Sequence, residues 1–153
     1  MKKLSLIVIM CLITLSAVCI SSCAKSEFGS ADDITEKSLT IQAKRADKGD
    51  YFMVGTLEVA EGEKIVISPE LEKGAVMLEF IGNEGMDDPD KVPDADSMPT
   101  AASAEVSGSD IAKLDVPVGG YMVKATVTEK ATGEVQVEIL SAETADKTSD
   151  TVE

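Results

Sequence analysis

Histidine and tryptophan are absent from the 153 residues, and the aromatic complement is five: Phe28, Tyr51, Phe52, Phe80 and Tyr121. Without histidine the chain lacks the usual general base near neutral pH and the commonest metal ligand. So few aromatics argue against a conventional carbohydrate-binding module, which relies on exposed aromatic faces. Cysteine is scarce as well. Cys11, Cys19 and Cys23 all fall within the first 23 residues, so no disulfide can form downstream and any fold there rests on its own apolar core. Basic residues are in deficit, 14 against 28 acidic ones, for a formal charge of −14. That balance repels phosphate backbones and excludes nucleic acid as a partner, and it keeps an exported domain soluble.

What is present begins with Lys2 and Lys3, then an apolar run from Leu4 to Ile20 broken only by Ser5, Thr14 and Ser16, then small residues. This is the layout of a secretory signal peptide: the lysines stay on the cytoplasmic side while the apolar segment enters the bilayer. An uncleaved anchor is the competing reading, but the run lies at the short end of what spans a bilayer. The small-residue stretch Ile20-Ser21-Ser22-Cys23 resembles the lipobox of bacterial lipoproteins, with isoleucine where leucine is commoner. The resemblance implies a diacylglycerol thioether on Cys23 and cleavage between Ser22 and Cys23. Cys11 and Cys19 sit in the apolar segment as small hydrophobes and leave with it. The remaining chain then holds 12 basic and 28 acidic residues, a formal charge of −16. Its one cysteine carries lipid, and two acyl chains suffice for stable anchoring.

After cleavage the chain divides by composition. Residues 23–37 are mostly small and polar and read as a lipidated flexible tether, residues 38–140 as one domain, and residues 141–153 as a disordered acidic tail without periodic apolar positions. Within the domain, apolar and polar side chains alternate with period two, the signature of half-buried strands. Tyr121, Val123, Ala125 and Val127 alternate with Met122, Lys124, Thr126 and Thr128; Val135, Val137 and Ile139 continue the pattern. Leu39, Ile41 and Ala43, Leu57 and Val59, Ile65 and Ile67, and Val76, Leu78 and Phe80 supply the others. Glu61-Gly62, Lys73-Gly74 and Lys130-Ala131-Thr132-Gly133 carry hairpin-turn chemistry, and Pro69 bars continuation of a central strand. No segment shows a helical stripe. Seven or eight short strands joined by such turns predict an all-β fold, a small antiparallel β-sandwich. The stretch Val116-Pro117-Val118-Gly119-Gly120-Tyr121-Met122-Val123 is similar to the proline-glycine-tyrosine lead-in of bacterial sandwich modules, including pre-peptidase C-terminal and immunoglobulin-like domains. That likeness implies architecture and not function.

The acidic loop at residues 86–97 holds Asp87, Asp88, Asp90, Asp94 and Asp96, oxygen donors of the kind Ca²⁺ takes, but it lacks the glycine and terminal glutamate of an EF-hand and contains two prolines. A solvated connector is the plainer reading. If Tyr51, Met53, Leu57 and Val59 face the core, Phe52 and Val54 face away and would form a binding surface, unless the strand is covered on both sides or a bulge at Gly55 reverses the alternation. Glu58, Glu79 and Glu138 fall on outward strand positions, where paired carboxylates would be needed for glycosidase chemistry. Ser107-Gly108 is no nucleophile elbow, with no histidine to activate it.

These residues predict a non-enzymatic, lipid-anchored protein on the extracytoplasmic face of a cell membrane, the outer one if the source has two. It needs no cofactor, and it would contact an envelope or surface protein. The alternative is a small-ligand or cation-binding accessory lipoprotein using the 86–97 loop.

Overall fold

A computed structural model describes residues 27–32, 34–82 and 99–148. Seven strands and one short helix lie among them: β1 (Glu27–Asp32), β2 (Ser38–Ala46), β3 (Tyr51–Val59), β4 (Glu63–Gly82), β5 (Thr100–Ser107), β6 (Ala112–Leu114), β7 (Gly119–Ser141) and α1 (Ala142–Lys147). Every strand pairing is antiparallel. The expected antiparallel β-sandwich is what the chain forms.

The sandwich is organised by two long strands. β4 and β7 run side by side from Glu63 opposite Ser141 to Gly82 opposite Tyr121. The first half of β4 and the second half of β7 build one sheet, flanked by β2 and then β1 on one side and by β6 on the other. Their remaining halves build the second sheet, flanked by β3 and β5. Both strands therefore pass from one sheet to the other through a common corner, the device by which sandwiches turn a sheet back on itself.

The corner explains two sequence signals that read as hairpin turns. Lys73-Gly74 and Thr132-Gly133 are bends within continuous strands, not connections between separate ones. At Gly74 (φ +86°) an added Cβ would lie 2.3 Å from the Lys130 carbonyl oxygen, and at Gly133 (φ +135°) 2.2 Å from that of Glu70. Only glycine lets the two backbones cross that closely. Register shifts in β4 between Leu71 and Val76 then reset its alternation. Ile65, Ile67 and Leu71 point inward before the corner and Val76, Leu78 and Phe80 after it, all in one core with Leu39, Ile41, Leu57, Val123 and Val137.

Pro69 is likewise inside β4, opposite Val135. The Leu71 N–H, two residues on, points away from β7 to the Gly108 carbonyl at 2.8 Å. Pro69 shares that orientation, and β6 pairs with β4 only as far as Ile67, so the missing N–H falls where no ladder bond is made.

Both domain boundaries differ from the expectation. Residues 27–32, assigned to the tether, pair with β2 from Glu27–Lys44 to Asp32–Thr40. The tail from residue 141 is ordered through α1: the Ser141 hydroxyl caps the helix by accepting from the Thr144 N–H at 3.4 Å. Ala145 is fully buried, as is Val66 on the outward side of β4, and neither belongs to the inter-sheet core. A six-residue helix with one buried position leaves no periodicity to read. Residues 149–153 lie outside the described residues, as do the expected signal segment and Cys23.

Candidate functional site

The sequence-selected residues separate cleanly once placed. Ser22, Cys23 and the aspartates of the 86–97 loop lie outside the described residues. Glu79 and Glu138 stand on different sheets, since one belongs to the second half of β4 and the other to the second half of β7. Glu79 meets Lys124 at 3.4 Å, an outward ion pair across the sheet. Ser107-Gly108 ends β5, and the Gly108 carbonyl accepts the Leu71 N–H.

The alternation in β3 runs opposite to the assumption that Tyr51 and Met53 face inward. Tyr51 is 67% exposed and Met53 36%, whereas Val54 is buried and Phe52 packs edge-to-face on Phe28 with ring centroids 4.9 Å apart. The cause is a bulge: Gly55 has φ +49°, and the register against β7 shifts between Val54 and Thr56. One extra residue restores Leu57 and Val59 to the core side. The two-faced apolar strand is thus a strand with a register step, and its solvent-facing apolar residues are Tyr51 and Met53.

The clearest concavity among the described residues lies at the corner, a shallow hollow of about 710 Å³. Gln42 and Lys44 of β2, Glu70 and Glu72 of β4, Ser109 of the β5–β6 turn, and Thr132 and Glu134 of β7 line it. The Gln42 side-chain amide donates to Glu134 Oε2 at 2.9 Å across the strands. Thr132 Oγ1 is buried there without a hydrogen-bond partner among the described residues. Glu70 and Glu72 are exposed, and no group of three potential ligands suited to a metal occurs among the described residues. Sequence reasoning missed this hollow because its residues come from separate strands and only the corner unites them.

At the opposite end one acid is electrostatically set apart. The Glu63 carboxyl is held below its usual value chiefly by the Lys37 ammonium, which donates to Oε2 at 2.6 Å, and secondarily by the Ala60 N–H at 2.8 Å. Lys37 also donates to the Glu58 carbonyl at 2.8 Å. The set ties the lead-in of β2 to the β3–β4 turn, and it is exposed. Nearby, the buried Tyr121 hydroxyl donates to the Pro117 carbonyl at 2.6 Å, fixing the proline-glycine-tyrosine lead-in to β7. Both arrangements hold turns against strands.

No protein-family profile and no curated protein matches the chain. Among solved structures, the crystal structure of PirA is similar over 71% of this chain and 98% of that one, at 12% identity and a TM-score of 0.47. A structure described under "CBM4 structure and function" covers 77% and 79%, at 9% identity and a TM-score of 0.37. A cupin domain from Bordetella pertussis covers 76% and 94%, at 12% identity and a TM-score of 0.33.

Proposed function

We propose that this chain is a non-enzymatic, lipid-anchored domain of the cell envelope. Cys23 holds it to the extracytoplasmic face of a membrane, and it works by contact with another envelope or surface protein. The observation that carries the reading is the sequence Ile20-Ser21-Ser22-Cys23 directly after an apolar run with two lysines before it. The absence of histidine, and a sole remaining thiol committed to lipid, support a role in contact over catalysis.

The fold supports contact through a strand edge. β5 pairs with β4 alone among the described residues, and Thr100–Ser107 carries one charged residue, Glu105, and no lysine or proline. Such an edge offers a row of backbone donors and acceptors to an extended partner segment. The alternative use of the 86–97 loop for a small ligand or cation draws no support from the described residues, which stop at Gly82 and resume at Pro99.

Two measurements test the two halves. Cys23→Ser should abolish incorporation of labelled palmitate and stop processing, whereas Cys11→Ser and Cys19→Ser should leave both intact; label retained by Cys23→Ser refutes the anchor. A photo-crosslinking residue at Ser103 of β5 should capture a discrete envelope protein in intact cells. A lipidated protein that yields no crosslink there refutes contact through this edge.

A further inference from the structure

The two long sides of the sandwich are closed by different means. On one side the edges formed by β1 and β3 meet through Phe28 and Phe52, two rings in edge-to-face contact that pack against the core. On the other, among the described residues, β6 is the edge of one sheet and β5 the edge of the other. Ala102 lies opposite Phe80, Ala104 opposite Leu78 and Val106 opposite Val76, while Ala112 lies opposite Ile67 and Leu114 opposite Ile65. Residues directly opposite share a face, so all five point between the sheets. Val106 is buried, but Ala102, Ala104, Ala112 and Leu114 stay partly exposed. An alanine methyl reaches only a short way across the roughly 10 Å between stacked sheets. With alanine at three of its five inner positions, the β5–β6 side is an apolar seam short of side chain.

β5 is also the edge least protected against pairing. Register shifts interrupt β1 between Phe28 and Ser30 and β3 between Val54 and Thr56, and β6 is three residues long with Lys113 at its centre. Bulges, short length and lysine all discourage a further strand. β5, by contrast, runs in unbroken register from Ala102 to Ser107, and its one charge is Glu105. The Glu105 carboxylate accepts a hydrogen bond from the Thr128 hydroxyl at 2.6 Å. Thr128 belongs to β7, on the far side of β4 from β5, so this charge is drawn across the sheet face and away from the open edge.

We propose that this side docks an extended segment of the partner protein, which adds to β5 as a further strand and alternates bulky apolar residues with basic ones. The proposal rests on the reading of β5 as the contact edge and goes beyond it in naming what the edge accepts. Backbone groups along Ala102–Ser107 supply the pairing. The bulky positions point inward beside Ala102 and Ala104 and close the seam, as Phe28 and Phe52 close the opposite side. Basic residues suit the outward positions because the border is acidic. Between Thr100 and Asp115 the charged residues are Glu105, Asp110, Lys113 and Asp115, and Lys64 bridges Asp115 and Asp146 at 3.4 and 3.8 Å, so acids outnumber bases four to two. A second copy of this chain fits less well: it brings its own Ala102 and Ala104 to a seam that needs bulk, and another Glu105 to an acidic border.

The test uses the full-length protein in detergent micelles and a fluorescent probe peptide, Lys-Val-Thr-Phe-Lys-Val-Thr-Phe-Lys, whose valines and phenylalanines share one face when it is extended. Fluorescence anisotropy should show binding, and amide exchange should slow along Ala102–Ser107. A peptide of the same charge with alanine for every valine and phenylalanine should bind severalfold more weakly, as should one with glutamate for lysine, and N-methylation of alternate peptide bonds should abolish binding. Ala104→Phe, which fills the seam from within, should weaken the probe severalfold; the N-methylated peptide tests the pairing even if that variant does not fold. Absence of binding, equal binding of the alanine peptide, or protection confined to other strands overturns the docking site. β5 amides protected without peptide, in a dimer that dissociates on dilution, assign the edge to a second copy and overturn it too. A crosslink from Ser103 to an envelope protein, retained despite any of these results, leaves the contact edge standing, whereas a missing crosslink overturns that reading separately.

Discussion

Gly133 shows how much of this fold hangs on single positions. A methyl group there would meet the Glu70 carbonyl oxygen at 2.2 Å and the Leu71 Cα at 2.8 Å, both backbone atoms of a paired strand that cannot swing aside. Gly62 also has a positive φ, +79°, but nothing lies within 4 Å of its added Cβ. Gly62→Ala should therefore cost only the left-handed penalty, about 1 kcal/mol. Gly133→Ala adds a backbone clash in the corner and should cost more than about 3 kcal/mol. Urea unfolding of the two variants checks the difference; equal losses would mean that the corner relaxes and the close crossing is not needed. Both glycines carry the sequence signal of a turn. A hairpin and a bend need the same positive φ, and only the partner strand, distant in sequence, decides between them.

At the scale of elements, period-two alternation marks β2, β3, β4, β6 and β7, since a half-buried strand cannot hide which face is apolar. It failed where one residue was inserted. Around Gly55 the alternation reverses, so Tyr51 and Met53, read as core, are exposed, and Phe52 and Val54, read as surface, are covered. The sequence pattern predicts no strand at β1 or β5 and no helix at α1. β1 is a polar edge strand recognisable only through its pairing with β2, and α1 is too short to express a helical period. The reversal in β3 has a measurable consequence. Phe52→Ala removes a partly buried ring packed edge-to-face on Phe28 and should cost roughly 1.5–3 kcal/mol, whereas Tyr51→Ala should stay within about 0.5 kcal/mol. The opposite ranking in denaturant unfolding would restore the uninterrupted alternation and remove the bulge. The proposed anchor at Cys23, by contrast, lies outside the described residues and rests on the linear segment Ile20-Ser21-Ser22-Cys23 alone. The corner hollow was not legible, since Gln42, Glu70 and Glu134 meet only through the pairing of three strands.

For the molecule as a whole, acidity is the dominant unbalanced quantity. The exposed ion pairs Lys37–Glu63, Lys130–Asp47 and Lys147–Glu143 are each short, yet pairs in solvent contribute little, a median of about 0–1 kcal/mol. Against them stands the mutual repulsion of an acid excess spread over a single small sandwich, which acts at longer range and falls when the Debye length shrinks from about 30 Å at 0.01 M salt to about 8 Å at 0.15 M. Screening therefore removes more repulsion than attraction. The thermal midpoint should rise by a few degrees between those salt concentrations at neutral pH, and the dependence should fade near the sequence isoelectric point of about 4.3, where the excess is neutralised. Following the midpoint by circular dichroism in sodium chloride at both pH values separates this from a general salting-out effect, which would persist at the lower pH. A midpoint that falls with salt at neutral pH would mean that the local ion pairs outweigh the field of the whole surface.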